Sequence, residues 1–230
     1  MKKLRIHYLQ HVPYEDLGCI QDWCTAKRHS VAATKFYEEE TLPEMASFDW
    51  LIILGGPMSV NDSDKFSWID KEKQFIEKVI KAGKTIIGIC LGSQFIASVS
   101  GSKIDANPEK EIGWFPILKA GESNLLFSNS QEYTVFHWHG ETFELPKEAK
   151  LLASSEACTN QAFMIGDRIL GLQFHLEVTE DSLAKMVTFG KSELTSGKYI
   201  QQEENILKRN DFLAANTKKM YEILNYFESR

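Results

Sequence analysis

Thr85-Ile86-Ile87-Gly88-Ile89-Cys90-Leu91-Gly92-Ser93-Gln94 is the stretch on which the reading of this chain turns. Thr85 to Ile89 is an apolar, β-branched run of the kind that forms a buried strand, and it stops at a cysteine set between two glycines. Beyond it, Leu91, Gln94, Phe95 and Ile96 begin a helical pattern. Strand, Gly-x-Cys-x-Gly and helix in succession describe a nucleophile elbow. The sharp turn needs neighbours without a Cβ so that backbone can pass, and it thrusts the central side chain outward. The turn also puts Cys90 near a helix N-terminus, where unpaired N–H groups and the helix dipole favour thiolate over thiol. Alone, the motif has two readings, a catalytic thiol or a buried filler after a strand. The first requires a base and an oxyanion hole elsewhere in the chain.

The strands and helices around the elbow set its architecture. Leu4–Leu9 reads as a first strand, Leu17–Lys27 as a helix with Leu17, Ile20, Trp23 and Cys24 at helical spacing, and Ser30–Thr34 as a second strand. Tyr37–Glu44 is acidic, contains Pro43 and reads as a loop. Asp49–Leu54 is a strongly apolar strand ending at Gly55-Gly56-Pro57. Trp68–Lys81 is an amphipathic helix with Gly83 just past its end. This alternation predicts an open, doubly wound, mostly parallel α/β sheet with helices on both faces, whose ligands sit at the carboxyl ends of the strands. Gly55-Gly56-Pro57 and Cys90-Leu91-Gly92 both fall at such ends.

The second half changes character. Ile112–Leu118, Tyr133–Trp138, Lys150–Ala153, Gln161–Ile165 and Arg168–Phe174 are short apolar runs, with Gly166-Asp167 a hairpin turn between the last two. They predict additional antiparallel strands placed before the final sheet strand. Thr179 caps a helix running to Lys191, and Asn205–Phe227 reads as one long terminal helix with an apolar stripe of Ile206, Leu213, Met220, Leu224 and Phe227. The expected organisation is one domain over residues 1–195 and a C-terminal helical extension, residues 196–230, packed on it.

Composition removes several classes of function. At 230 residues, 43% hydrophobic and 25% charged, the chain has the make-up of a soluble globular protein with ample core. A formal net charge of −6 and no basic run argue against nucleic acid as partner. Met1 to His7 lacks the apolar segment of a signal peptide. No window approaches the roughly 18 to 20 apolar residues of a membrane span. Cys19, Cys24, Cys90 and Cys158 do not form a disulfide or zinc pattern. The expected compartment is a reducing cytoplasm.

Gly171-Leu172-Gln173-Phe174-His175-Leu176-Glu177 supplies the counterpart to Cys90. An apolar strand ends in His175, and on extended backbone Glu177 points to the same side, where its carboxylate can orient the imidazole. Cysteine, histidine and carboxylate together are the thiol version of a triad. Gly55-Gly56-Pro57 exposes unobstructed N–H groups, and the N–H of Leu91 is the second natural oxyanion donor. His137 and His139 share a face two residues apart, but the sequence shows no third ligand, so no metal is expected.

Gly-Gly-Pro, then Gly-Ile-Cys-x-Gly-x-Gln, then Gly-x-Gln-Phe-His-x-Glu, in this order, resembles the class I (triad) glutamine amidotransferase domain over roughly Leu4 to Lys191. Glu111-Ile112-Gly113-Trp114 and His137-Trp138-His139-Gly140-Glu141 look like free-standing relatives of the GMP synthase glutaminase domain. The resemblance implies that family's flavodoxin-like fold, with Cys90 as nucleophile, His175 as general acid/base and Glu177 as its orienting carboxylate. It implies Gly56 and Leu91 as oxyanion-hole backbone and Gln94 as a residue holding the substrate's amino-acid end. Trp138, His139 and Gly140 match the strand edge that contacts glutamine, with Trp138 standing where the GMP synthase domain has a small hydroxyl residue. No cofactor is implied. The substrate is glutamine or another γ-glutamyl compound, and ammonia either passes to a separate synthetase subunit or is simply released. A γ-glutamyl amide or peptide hydrolase and a partner-activated regulatory subunit are the alternatives. No synthetase domain is expected after Phe227, and no glycine-rich ATP-phosphate loop is apparent in the sequence.

Overall fold

A computed structural model describes residues 3–121, 125–127, 130–208 and 210–230. Met1 and Lys2 of the N-terminal segment and Arg209 of the expected terminal helix lie outside the described residues. In chain order the main elements are β1 (Arg5–Gln10), α1 (Cys19–Lys27), β2 (Ser30–Lys35), β3 (Trp50–Ile53), α2 (Ile69–Lys81), β4 (Thr85–Ile89), α3 (Leu91–Val99), β5 (Ile104–Lys119), β6 (Glu132–Phe143), β7 (Ala149–Ser154), β8 (Ala162–Ile165), β9 (Ile169–Leu172), α4 (Glu180–Phe189), α5 (Glu203–Leu207) and α6 (Asn210–Glu228). All nine strands form one sheet in the order β2-β1-β3-β4-β9-β8-β7-β5-β6. The first five in that order pair in parallel, and from β9 onward the pairing is antiparallel.

Alternation along the parallel strands splits the core into two layers, because successive side chains face opposite sides of a sheet. Trp50, Ile52 and Leu54 join one apolar cluster with Ile6, Ile87 and Ile89, covered by Ile20 and Trp23 of α1 and by Met220, Leu224 and Phe227 of α6. Leu51 and Ile53 join the other with Leu9 and Ile86, covered by Ile69, Phe75, Ile76 and Val79 of α2 and by Phe95 and Ile96 of α3. Helices on both faces explain why β3 and β4 are buried along their whole length. A third cluster, with Ile112, Trp114 and Phe136, sits under α4 and α5. Thr179 caps α4 in a reciprocal capping box with Ser182.

Three expectations change. β5 and β6 are much longer than the apolar runs that announced them, because their outer halves are polar but still pair as a ribbon, Ile104 opposite Phe143. The predicted loop at Tyr37–Glu44 opens with a 3-10 turn at Phe36–Glu38, which buries Phe36. The terminal helix is two helices, α5 and α6. Gln201 ties the segment before α5 to β5, its side chain accepting from Trp114 N–H at 3.0 Å and donating to Trp114 O at 2.9 Å. The antiparallel half also curls, so that edge strand β6 returns to the chain beyond β9: His175 N–H donates to Phe136 O at 2.8 Å.

The elbow is packed backbone to backbone. A Cβ on Gly92 would lie 2.1 Å from the Ile53 carbonyl oxygen, and one on Gly88 would lie 2.5 Å from the Gly92 carbonyl oxygen. Gly92→Ala is therefore expected to destabilise the fold by ~3 kcal/mol or more, since backbone cannot rotate aside as a side chain can. Gly83→Ala, at φ 68° with open space around it, should cost only ~1 kcal/mol of backbone strain. Urea unfolding midpoints of the two variants measure the contrast, and equal losses would contradict the packing account.

Candidate active site

β4 ends at Ile89 and α3 begins at Leu91, leaving Cys90 in the turn with φ 50° and ψ −109°. A side chain in this left-handed region costs of order 1–3 kcal/mol and persists only where the surroundings over-determine it. Here Cys90 N–H donates to Leu172 O at 2.7 Å, and Cys90 O accepts from Ser93 N–H at 3.0 Å and Ser93 Oγ–H at 2.7 Å. The thiol faces the Trp138 carbonyl oxygen at 3.6 Å and accepts from Gln173 Nε2 at 3.7 Å. Gln94 Nε2 donates in turn to Gln173 Oε1 at 3.2 Å.

His175 and Glu177 follow β9 on the same edge of the sheet. His175 Nδ1 and Glu177 Oε1 are 2.7 Å apart, and both residues are buried. A carboxylate only accepts, so Nδ1 carries the hydrogen and Nε2 is the nitrogen left for proton transfer. Nε2 is buried and has no hydrogen-bond partner among the described residues. Burial works against a charged ring, but Glu177 and the neighbouring Cys90 outweigh it and raise the His175 pKa well above its ordinary value. Burial pushes the Cys90 thiol up, opposed by His175 and by the Leu91 N–H. Such a coupled pair shares its protons, with Glu177 favouring the charged imidazole and burial favouring the neutral thiol.

Gly55 and Gly56 follow β3 and pack beside the elbow. A Cβ on Gly56 would meet His11 Cβ at 3.0 Å and Leu91 Cδ2 at 3.2 Å, so the Gly56 backbone adjoins Leu91 without obstruction. His11 Nδ1–H donates to the Gly55 carbonyl at 3.0 Å, and its Nε2 lies 3.1 Å from both oxygens of Glu72, an acid buried on the inner face of α2. Burial disfavours charge on His11, yet Glu72 more than compensates and raises its pKa. A buried ion pair thus holds the glycine turn.

These parts surround a cleft of about 440 Å³, whose lining includes Cys90, Gly56, Gln94, His139 and Gly140. Trp138 forms one wall: its indole N–H donates to Glu193 at 3.1 Å, and its ring lies so close to Gly190 that a Cβ there would clash at 2.2 Å. Leu91 packs behind Gly56 rather than lining the cleft, and His175 stands behind Cys90. All nine residues singled out from sequence therefore converge on one place.

The family profile described as class I glutamine amidotransferase matches residues 23–191. The chain belongs to the class I glutamine amidotransferase family. It is 32% identical over 198 residues to the glutamine amidotransferase-like protein YfeJ of Salmonella typhimurium, covering 83% of each chain. It is 30% identical over 161 residues to γ-glutamyl peptidase 3 of Arabidopsis thaliana, covering 63% of this chain and 60% of that one. A GMP synthase of Bacteroides fragilis is 31% identical over 144 residues, 60% of this chain but 27% of the synthase. The crystal structure of a glutamine amidotransferase from Thermotoga maritima superimposes with a TM-score of 0.90 at 29% identity, covering 99% of both chains.

Several residues of this amidotransferase-family cleft carry no signal in the sequence. Glu15 and Tyr14, in the loop after β1, line it, as do Lys110 and Glu193, which pair at 3.0 Å. Only the rule that ligands sit at the carboxyl ends of strands could have drawn attention to the β1 loop. Glu111 joins His137 and His139, a third donor that local spacing in the sequence does not reveal because it lies on the neighbouring strand β5. Glu15 Oε2 sits so near Gly55 that a Cβ there would be 2.0 Å away, with His175 Cε1 at 3.2 Å from the same point.

Burial raises the Glu15 pKa from 4.5 to about 7, with Glu177 adding to the rise and His175 opposing it. The folded protein thus holds this proton more tightly than the unfolded chain. The contribution to stability is full below about pH 4.5 and is lost as pH rises through 7. Glu15→Gln is expected to raise Tm by roughly 5–10 °C at pH 8 and by little at pH 4.5. Thermal melts at the two pH values check this, and an equal shift at both would show that the carboxyl does not titrate in this range.

Proposed function

We propose that the protein hydrolyses the side-chain amide of glutamine through Cys90, His175 and Glu177. One observation carries the reading: a His175–Glu177 hydrogen bond of 2.7 Å stands behind a cysteine held at φ 50° on a helix N-terminus, over a cleft that Gly56 lines. The Cys90 thiolate attacks the amide carbon. Charge developing on oxygen is taken by the Gly56 and Leu91 N–H groups, donors typically worth about 3 kcal/mol each. His175 protonates the departing ammonia, leaving a γ-glutamyl thioester, and then deprotonates the water that releases glutamate. Gln94 and the Trp138–Gly140 edge hold the amino-acid end of the substrate. The ammonia passes to a separate synthetase subunit, a reading supported by the likeness to one part of GMP synthases, of which the match spans about a quarter.

A second reading, cleavage of γ-glutamyl peptides without transfer, is favoured by the resemblance to a γ-glutamyl peptidase. The cleft supports it too, extending past Cys90 to Lys110 and Glu193 and leaving room beyond a simple amide. A panel of glutamine, γ-glutamyl amides and γ-glutamyl dipeptides, read by glutamate and ammonia release with and without candidate synthetases, separates the two. Glutamine turnover, alone or with a partner, supports the first. A kcat/KM far higher for dipeptides establishes the second, and no turnover of any member rejects both.

Cys90→Ala is expected to abolish turnover while leaving the urea midpoint within about 1 kcal/mol of the parent. Glu177→Gln should lower kcat by roughly 10²- to 10⁴-fold with a smaller change in KM, because the imidazole loses its orienting charge rather than its place. Steady-state kinetics on the preferred substrate check both, and an active Cys90→Ala protein would remove the elbow from the mechanism.

A further inference from the structure

Beside the cleft, and outside the triad, Glu111, His137 and His139 form a second cluster of chemistry-bearing side chains. Glu111 on β5 pairs across the ribbon with His139 on β6, and Gly113 pairs with His137, so alternation puts the carboxylate and both rings on one face. All three residues are buried, and one donor atom from each lies within 4.8 Å of the others.

Each ring is oriented by its far nitrogen. His137 Nε2 is 3.3 Å from Phe115 O, and His139 Nδ1 is 3.1 Å from Glu141 O. Carbonyl oxygens only accept, so those nitrogens carry the hydrogens, and His137 Nδ1 and His139 Nε2 are left with lone pairs in the neutral rings. Both lone pairs face the same atom, Glu111 Oε2, at 3.5 Å and 3.4 Å. A charge-assisted hydrogen bond would be about 2.7–2.9 Å. That oxygen already accepts from Ser155 Oγ–H at 2.9 Å and from Gln161 Nε2 at 2.6 Å, and the same Gln161 Nε2 lies 3.4 Å from His139 Nε2, a long contact for that ring's lone pair. Among the described residues, His137 Nδ1 and Gln161 Oε1 are left buried without a hydrogen-bond partner. The His137 Nδ1 lone pair thus converges on a carboxylate oxygen with no donor of its own, an arrangement that is repulsive unless a cation stands between them. Donors bonded to one ion at 2.0–2.1 Å in tetrahedral geometry are about 3.3 Å apart, close to the two spacings seen here.

We propose that Glu111, His137 and His139 bind a divalent transition-metal ion, with Zn²⁺ the ion best suited to the site. Two imidazoles and one carboxylate match the N/O preference of zinc and leave a fourth position open, whereas magnesium and calcium favour all-oxygen sites. The carbonyls of Phe115 and Glu141 on the far ring nitrogens, with Ser155 and Gln161 on the carboxylate, are the outer partners that such ligands require. The ion clamps β6 to β5 on either side of Trp138, whose carbonyl faces the Cys90 thiol. It acts by positioning that strand edge and touches no reacting atom.

The test uses the full chain carrying Cys90→Ala, so that the thiol cannot be a ligand, stripped with a chelator and titrated with Zn²⁺ and Co²⁺. The expected result is one ion per chain with a Kd in the micromolar range or tighter. At a hundredfold excess over Kd, Tm should rise by roughly 5–10 °C. Bound Co²⁺ should give the intense visible absorption of a four-coordinate site. Glu111→Gln and His139→Gln should each weaken binding at least tenfold, with circular dichroism and the metal-free Tm reporting whether they fold. The Co²⁺ spectrum and stoichiometry of the Cys90→Ala chain stand even if they do not. No Tm shift and no stoichiometric binding would leave the cluster as a buried hydrogen-bond network. Binding that survives unchanged in a folded Glu111→Gln protein, or that occurs only with Cys90 present, would place the ion elsewhere and overturn the proposal.

Discussion

The positive φ of Cys90 is the constraint on which the rest of the structure depends. An L-residue does not adopt that conformation unless its surroundings leave no alternative. Two features supply the compulsion. The Cys90 N–H completes the pairing of β4 with β9 through Leu172 O, and α3 lies directly on β3 and β4 because Gly88 and Gly92 let backbone touch backbone. Parallel strands buried on both faces are what make such rigidity possible, so the fold stores the strain and the site displays its result.

The parts of this arrangement that were legible in the sequence are those whose signals are local. β-branched runs announced β3 and β4, glycines marked the turns, and an i, i+2 pairing on extended backbone foretold that Glu177 would meet His175. Features that depend on distant chain were not legible. Glu72 reads as one acid on an amphipathic helix, and only the fold shows it buried against His11, 61 positions away. Glu15 sits in an unremarkable loop until the sheet places that loop beside Gly55. The polar outer halves of β5 and β6 had no apolar pattern to announce them, because cross-strand pairing rather than burial holds them.

Two carboxylates near the cleft, Glu177 buried and Glu15 half-buried in its wall, illustrate how environment divides like groups into different tasks. Glu177 lies on an imidazole and stabilises its charged form. Glu15 faces the same histidine from the cleft wall, but burial dominates and its carboxyl titrates near neutrality. A group poised there can offer a proton or a negative charge to whatever enters, whereas Glu177 is committed to its partner. The distinction arises from packing alone, since both are glutamates beside one ring.

The antiparallel half of the sheet completes this picture by its curvature. In sheet order β6 is four strands removed from β9, yet curling brings its Phe136 carbonyl onto the His175 N–H and its Trp138 carbonyl onto the Cys90 thiol. The His175 backbone and the Cys90 thiol are therefore both held against one strand that belongs to neither of their own elements. The same strand presents His137, between those contacts, and His139, just beyond them, to Glu111. Cys90 and His175 follow the directly paired strands β4 and β9, so strand pairing brings them together, and β6 buttresses both from the far side of the sheet. The two halves of the sheet are thus coupled through β6, and the candidate cleft lies where they meet.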